Sequence, residues 1–196
     1  MLRRLLIAGT LLAITAVTAS ADTYTIDRSH SSVGFAVTHL GLGKVKGDFR
    51  DFAGTIDYVP GDISKSRVDA TIQVPSIDTR DSSRDMHLKG SDFFAADSFP
   101  TMTFKSAKVT EKSGGKLEIV GDLTLRGITK PVTLDAELVG AMNDPWGNKR
   151  VSFSAHTKID RMDYGVKWNK LLDVGGFVVG KEVIIQIEIE AVMKKQ

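Results

Sequence analysis

A period of two governs this chain. In "SVGFAVTH", Val33, Phe35, Val37 and His39 fall on one side of an extended backbone and their neighbours on the other, the pattern of a strand buried on one face only. The stripe breaks at Gly41 and Gly43, resumes at Val45, Gly47 and Phe49, then changes parity to Phe52, Gly54, Ile56 and Tyr58. A parity change inside one run predicts a β-bulge near Arg50 and Asp51. Further runs are Val68/Ala70/Ile72/Val74, Met102/Phe104, Leu117/Ile119/Gly121/Leu123/Leu125, Val132/Leu134/Ala136/Leu138, Val151/Phe153/Ala155/Thr157/Ile159 and Val183/Ile185/Ile187/Ile189. Each is bounded by Gly, Pro, Asn, Asp or Ser, so the chain reads as about eight strands joined by turns. Connections as short as "RGITKP" and "KSGGK" favour antiparallel neighbours.

Such strands can form a sandwich or a closed barrel, and closure has the merit of leaving no exposed edge. An outer-membrane barrel would turn its apolar face outward. Short turns on both sides, few aromatics at strand ends and dense mixed charge on the polar face, as at Glu182, Gln186, Glu188 and Glu190, favour apolar-in and polar-out instead. One segment departs from the period: "IDTRDSSRDMHLKGSDFFAADSFP" predicts a short helix over about residues 80–89, with Asp78 or Thr79 as its cap, Asp81 in the first turn and Gly90 as the stop. Only Met86 and Leu88 are apolar on it, so it is expected to lie across an opening rather than inside a core. Trp146 reads as a turn residue in "NDPWGN", expected to be partly buried. Trp168, Leu171 and Leu172 lie in a longer connection that either folds over one barrel end or packs as an ordinary loop.

The first residues, "MLRRLLIAGTLLAITAVTASA", have two arginines, an apolar run and an Ala-Ser-Ala site, the layout of a secretory signal peptide over residues 1–21. The apolar run is shorter than the ~20 residues a spanning helix needs. A single domain over residues 22–196 is then expected in an exported protein. Removing two arginines from 26 basic residues leaves 24 against 24 acidic ones, so the mature chain is formally neutral and gives no reason to expect a nucleic-acid partner. No cysteine is present, and the four histidines, His30, His39, His87 and His156, show no metal-ligand spacing. There is no G-x-S-x-G elbow and no phosphate-loop pattern, so neither an enzyme nor a bound cofactor or metal is expected.

The stretches "YTIDRSHSSVGFAVTHLGLGKVKGDF", "RDMHLKGSDFFAADSFPTMTF", "GDLTLRGITKPVTL" and "SFSAHTKIDRMDYG" to "IIQIEIEA" resemble, in that order, the YceI-like family of periplasmic polyisoprenoid-binding proteins. The resemblance covers essentially everything from Asp22 onward. It implies a mainly β fold, an eight-stranded antiparallel lipocalin-like barrel with one short α-helix near the mouth. It also implies an interior that holds a long isoprenoid chain, such as an isoprenoid quinone or a prenyl phosphate, in the periplasm. Read through it, the inward stripes supply Phe35, Val37, Gly47, Phe49, Met102, Phe104, Leu123, Phe153 and Ala155 as chain-binding residues, and the helix region adds Met86, Leu88, Phe93 and Phe94. Small inward residues such as Gly47, Gly121 and Ala155 would leave room for a ligand unless facing large side chains fill it. For a polar head group the candidates are Arg80, Arg84 and His87, which share one face if the helix begins at residue 80, and Arg28. The reading competing with these roles is a solvated charged face, with Arg84 paired to Asp81. Family members can dimerise, and a carrier of this kind is expected to touch a membrane or a membrane redox protein transiently. The competing function is a filled barrel, structural or stress-related, acting through its outer surface.

Overall fold

The computed structural model describes residues 21–173 and 175–193; the expected signal peptide, except Ala21, lies outside the described residues. The alternating runs form β1 (Asp22–Ile26), β2 (Ser32–His39), β3 (Gly43–Phe49), β4 (Phe52–Tyr58), β5 (Arg67–Gln73), β6 (Ile77–Asp78), β7 (Thr101–Glu111), β8 (Lys116–Leu125), β9 (Ile128–Asn143), β10 (Lys149–Asp160) and β11 (Val179–Met193). All pairings are antiparallel. Three staves are interrupted, so eleven segments make the eight expected: β1 continues into β2, β3 into β4 and β5 into β6.

The interruptions have local causes. Between β1 and β2, Asp27 caps a 3-10 turn over Arg28–His30 by accepting from the Ser29 amide. Between β3 and β4 lies the predicted irregularity at Arg50 and Asp51. There the Arg50 amide donates to the Ser76 carbonyl and the Asp51 amide to Ser76 Oγ, and Phe49 and Phe52 are both buried despite their opposite parity. The staves meander up and down, and β11 closes the barrel by pairing β10 along one side and β2 and β1 along the other. Its apolar residues Val183, Ile185, Ile187 and Ile189 face inward while Glu182, Gln186 and Glu188 are exposed. The apolar-in assignment therefore holds.

The connections define two unlike ends. At one, Tyr24, Tyr58 and Val151 are buried together with Ile63 against them, sealing the barrel. At the other lie the β2–β3 turn, the β8–β9 turn, helix α1 (Ser82–Lys89) and the chain from Arg161 to Val178. The helix begins two residues later than expected. Asp81, not Asp78 or Thr79, is its cap, accepting from the Arg84 amide, because Arg80 adopts a left-handed φ of 65° that ends the preceding strand. Trp146 is exposed rather than partly buried.

The closing seam carries an ionic cluster. Arg150 on β10 donates to Asp144 and Asp27, each at 3.0 Å, and to Glu190 on β11. Asp27, His30 and Glu190 also bring potential metal-ligand atoms within 4.8 Å of one another, but both carboxylates already accept from Arg150. Hydrogen bonds from Ser29, His30 and Arg150 hold the Asp27 carboxyl well below the usual range, although burial opposes them. For Asp144 burial is the largest single influence and would raise the pKa. Bonds from Asn148, Arg150 and the Trp146 amide together outweigh it and bring the group to about 2.

A carboxylate with a depressed folded-state pKa stabilises the fold above its unfolded value, and that contribution is lost as pH falls through the folded value. Stability is therefore expected to hold from neutrality down to about pH 4 and to decline below it. Arg150→Met should lower the urea midpoint at pH 7, with the gap to wild type shrinking towards pH 2. Equal gaps at both pH values, followed by circular dichroism, would contradict this role.

Candidate functional site

The barrel interior is not filled. It encloses a cavity of about 430 Å³ whose wall is almost wholly apolar. Phe35 and Val37 on β2, Phe49 on β3, Met102 and Phe104 on β7, Leu123 on β8, and Phe153 and Ala155 on β10 all line it. Leu88 on α1 and Phe93 and Phe94 just beyond it do so as well.

Two expected wall residues stand elsewhere. Met86 is 70% exposed, because its position on the short helix turns away from the opening. Gly47 is buried but does not leave room: a Cβ there would lie 2.6 Å from Phe35 Cζ and 2.8 Å from Thr79 Cγ2. Gly121 is the same device, with the Phe104 ring 2.5 Å from where its Cβ would be. These glycines let aromatic rings from the neighbouring strands lie flat on the wall, which is how a glycine in a strand is usually covered. The open space comes from the rings being laid aside, and not from the missing side chains themselves.

The polar groups of the wall are unevenly distributed by sign. Arg67, Arg84, Arg161, His39 and His87 line the cavity, and no carboxylate does among the described residues. Arg84 points from α1 to the preceding loop, its Nε donating to Thr79 Oγ1 and Nη2 to the Thr79 carbonyl, both at 2.8 Å, which leaves Nη1 free of protein partners among the described residues. Thr79 is held in turn by Asp85, to which its amide and hydroxyl donate. The Arg84–Asp81 side-chain pair of the competing reading is not formed; Asp81 takes the Arg84 backbone amide instead. Arg80 and Arg28 are exposed and outside the cavity, Arg80 because it precedes the helix and Arg28 because it turns outward to Asp51. Arg80, Arg84 and His87 therefore do not form one face.

His87 joins the helix to the long loop. Its ring meets Phe93 and Trp168 edge-on at 5.0 and 5.2 Å, and Phe93 and Trp168 are 5.2 Å apart. Trp168 thus does fold over the barrel end. His39 and His87 line the cavity and are exposed at this end, which also carries the longest connections, so it is assigned as the mouth; at the tyrosine end exposed Arg67 borders the cavity.

Sequence reasoning missed much of the wall. The stripes of β4, β5, β9 and β11, among them Phe52, Ile72, Leu134 and Ile187, line the cavity, and their alternation carries the same signal as that of β2 or β10. Arg161, Tyr164 and Val166 follow a strand end in a turn with no period to read. Arg161 is only 5% exposed. It donates through Nε to the Gly180 carbonyl at 2.8 Å, through Nη1 to the Val166 and Trp168 carbonyls at 2.6 and 2.9 Å, and through Nη2 to the Val179 carbonyl at 3.2 Å. Burial pushes its pKa down from the usual arginine value while neighbouring Asp160 pulls it up. The guanidinium is hydrogen-bonded by carbonyls and makes no salt bridge among the described residues, which leaves a positive charge beside the cavity.

Comparison with known proteins places this barrel. The model of the YceI-like domain matches residues 24–191. The chain belongs to the YceI-like family. Protein YceI of Shigella flexneri is 40% identical over 186 residues, 94% of either chain. The crystal structure of the Campylobacter jejuni YCEI protein matches with a TM-score of 0.70 at 32% identity, covering 81% of this chain and 90% of that one. A polyisoprenoid binding domain from Saccharophagus degradans matches with a TM-score of 0.64 at 12% identity, covering 87% and 98%. That likeness is one of fold.

The geometry separates two substitutions in this YceI-like barrel. Gly47→Leu should destabilise by about 1–3 kcal/mol, because Phe35 must leave its place. Ala155 lines the cavity, so Ala155→Phe should leave the unfolding free energy within about 1 kcal/mol of wild type. Equal destabilisation in urea titrations would mean that Ala155 does not face a void.

Proposed function

We propose that the protein is a periplasmic carrier that shields a polyisoprenoid lipid, such as an isoprenoid quinone or a prenyl phosphate, inside its barrel. The observation that carries the reading is the 430 Å³ cavity with its apolar wall. The Saccharophagus degradans protein of like fold is a polyisoprenoid binding domain, which supports the ligand class, and the signal-peptide-like N-terminus supports export. An open cavity argues against the filled barrel, whose function would lie on its surface. The protein acts by binding rather than by catalysis, as befits a YceI-like domain.

The energetics suit a slender hydrocarbon. Each buried methylene contributes ~0.8 kcal/mol, so several isoprene units outweigh the cost of ordering one chain. Affinity comes from the wall residues, and orientation from the basic groups. Arg84 and His87 stand at the mouth, with Arg161 behind them. Donors of this kind meet the acceptor oxygens of a phosphate or carbonyl head while the chain lies inward along Phe35, Phe49 and Phe153.

The test is to purify the protein from its native periplasm, extract it with organic solvent and identify the extract by mass spectrometry. An isoprenoid lipid in near-stoichiometric amount is expected, and the emptied protein should take up added long-chain quinone or prenyl phosphate. A lipid-free extract together with no uptake of either compound would falsify the reading. Arg84→Gln should weaken binding of a prenyl phosphate roughly ten-fold, in line with the ~1.5–3 kcal/mol of a hydrogen bond to a charged group. It should change binding of the matching prenyl alcohol little. Equal loss for both would remove Arg84 from head-group contact.

A further inference from the structure

The rim of the mouth has a surface that shielding a lipid does not require. Leu42 is 89% exposed at the tip of the β2–β3 turn, and Leu40 beside it is also exposed. Leu171 and Phe177, 70% and 47% exposed, pair across the neighbouring loop. The Leu40 amide donates to the Val178 carbonyl at 2.8 Å, so the two tips form one continuous edge. This edge borders the cavity directly, because His39, Val45, Trp168 and Val178 of the same two segments line it. Large apolar side chains held out in water together, rather than singly, mark a contact surface.

The charge around these tips selects the partner. Lys44, Lys46, Lys167, Lys170 and Lys181 are exposed on the same two segments and make no salt bridge among the described residues. The only carboxylate between residues 39 and 46 or 166 and 181 is Asp173. Asp81, Asp85, Asp92 and Asp97 lie on the helix side, and Asp163, in the turn after β10, is bridged to Lys130 at 3.3 Å. Apolar tips within a ring of unpaired lysines fit the surface of an anionic bilayer, where the side chains enter the acyl boundary and the ammonium groups meet the phosphates. We propose that the β2–β3 turn and the loop carrying Leu171 and Phe177 dock the protein on anionic membranes, with the mouth facing the lipid.

The proposal rests on this surface and not on the carrier reading, so vesicle binding and lipid uptake are measured separately. The probe is flotation of the full mature chain with vesicles of phosphatidylcholine alone or with added phosphatidylglycerol. Binding is expected only with phosphatidylglycerol and should fall with salt. Replacing Lys44 or Lys170 by glutamine should lower partitioning roughly five-fold each. Leu42→Asp should lower it ten-fold or more, with an unchanged circular dichroism spectrum and undiminished uptake of solvent-delivered quinone. Trp146 is exposed at the sealed end, at 78%, and Trp146→Asp should bind vesicles as wild type does. Failure to bind phosphatidylglycerol vesicles, binding insensitive to Leu42→Asp, or equal loss in Trp146→Asp would overturn the proposal. So would a dimer in ultracentrifugation that Leu42→Asp dissolves without any vesicle binding, since the tips would then belong to a second copy of the chain.

Discussion

Everything in this molecule depends on the C-terminal strand finding a partner on both of its sides. β11 pairs β10 from Lys149↔Met193 to Asp160↔Glu182, and on its other side it pairs β2 and then β1. Without that second pairing the sheet would have two open edges, each a row of unpaired amides and carbonyls. With it, one face is sealed from water, and the period of two ensures that this is the apolar face, since a one-residue slip would turn every side chain over. The seam is the place where the first stave breaks into β1 and β2, and polar groups bridge the break. Ser31 Oγ donates to the Asp27 and Glu190 carbonyls and accepts from the Glu190 amide, while Arg150 ties Asp27 to Glu190.

Closure makes a tube, but a tube of this width can fill itself with side chains. Here the inward aromatics are kept to the wall. Phe35 lies over Gly47 and Phe104 over Gly121, each ring occupying space that any larger residue on the facing strand would take. Phe49 packs against both Phe35 and Phe94, extending the same lining towards the helix. The axis stays open because the bulky groups are spread around the circumference. The two ends then differ for a simple reason. One is crossed by short turns over a buried tyrosine pair, Tyr24 and Tyr58. The other carries the longer excursions, which bring arginines and histidines to the edge of an oily space.

Much of this was legible in the residues. The alternation identified every stave from Val33 onward, and the parity change at Arg50 and Asp51 located the kink. The helix was legible through its stop at Gly90, less so through its start, because several capping residues crowd between Asp78 and Ser83 and sequence alone does not choose among them. The side of the wall on which a residue falls was legible wherever the period was regular. What the period could not show was depth. Gly47 faces inward, yet a ring from the neighbouring strand covers it, and that follows from register across strands. Arg161 and Trp168 carried no local signal either. Their positions come from a loop that packs on α1, a contact far apart in sequence. Arg80 and Arg28 looked equivalent to Arg84 only so long as the helix start and the direction of the turn were unknown.

The central claim is that the vacant axis of the barrel is the seat of a hydrocarbon chain, and chain length tests it most directly. An apolar cavity of about 150 Å³ accepts one benzene, so the 430 Å³ found here corresponds to roughly three or four isoprene units. Prenyl alcohols of increasing length can be titrated into the protein while Trp168 fluorescence is followed in a Trp146→Phe background. The account predicts that each added unit tightens binding at least ten-fold until about three or four are held, after which the gain levels off. Dissociation constants that do not change from the shortest alcohol to the longest would contradict it.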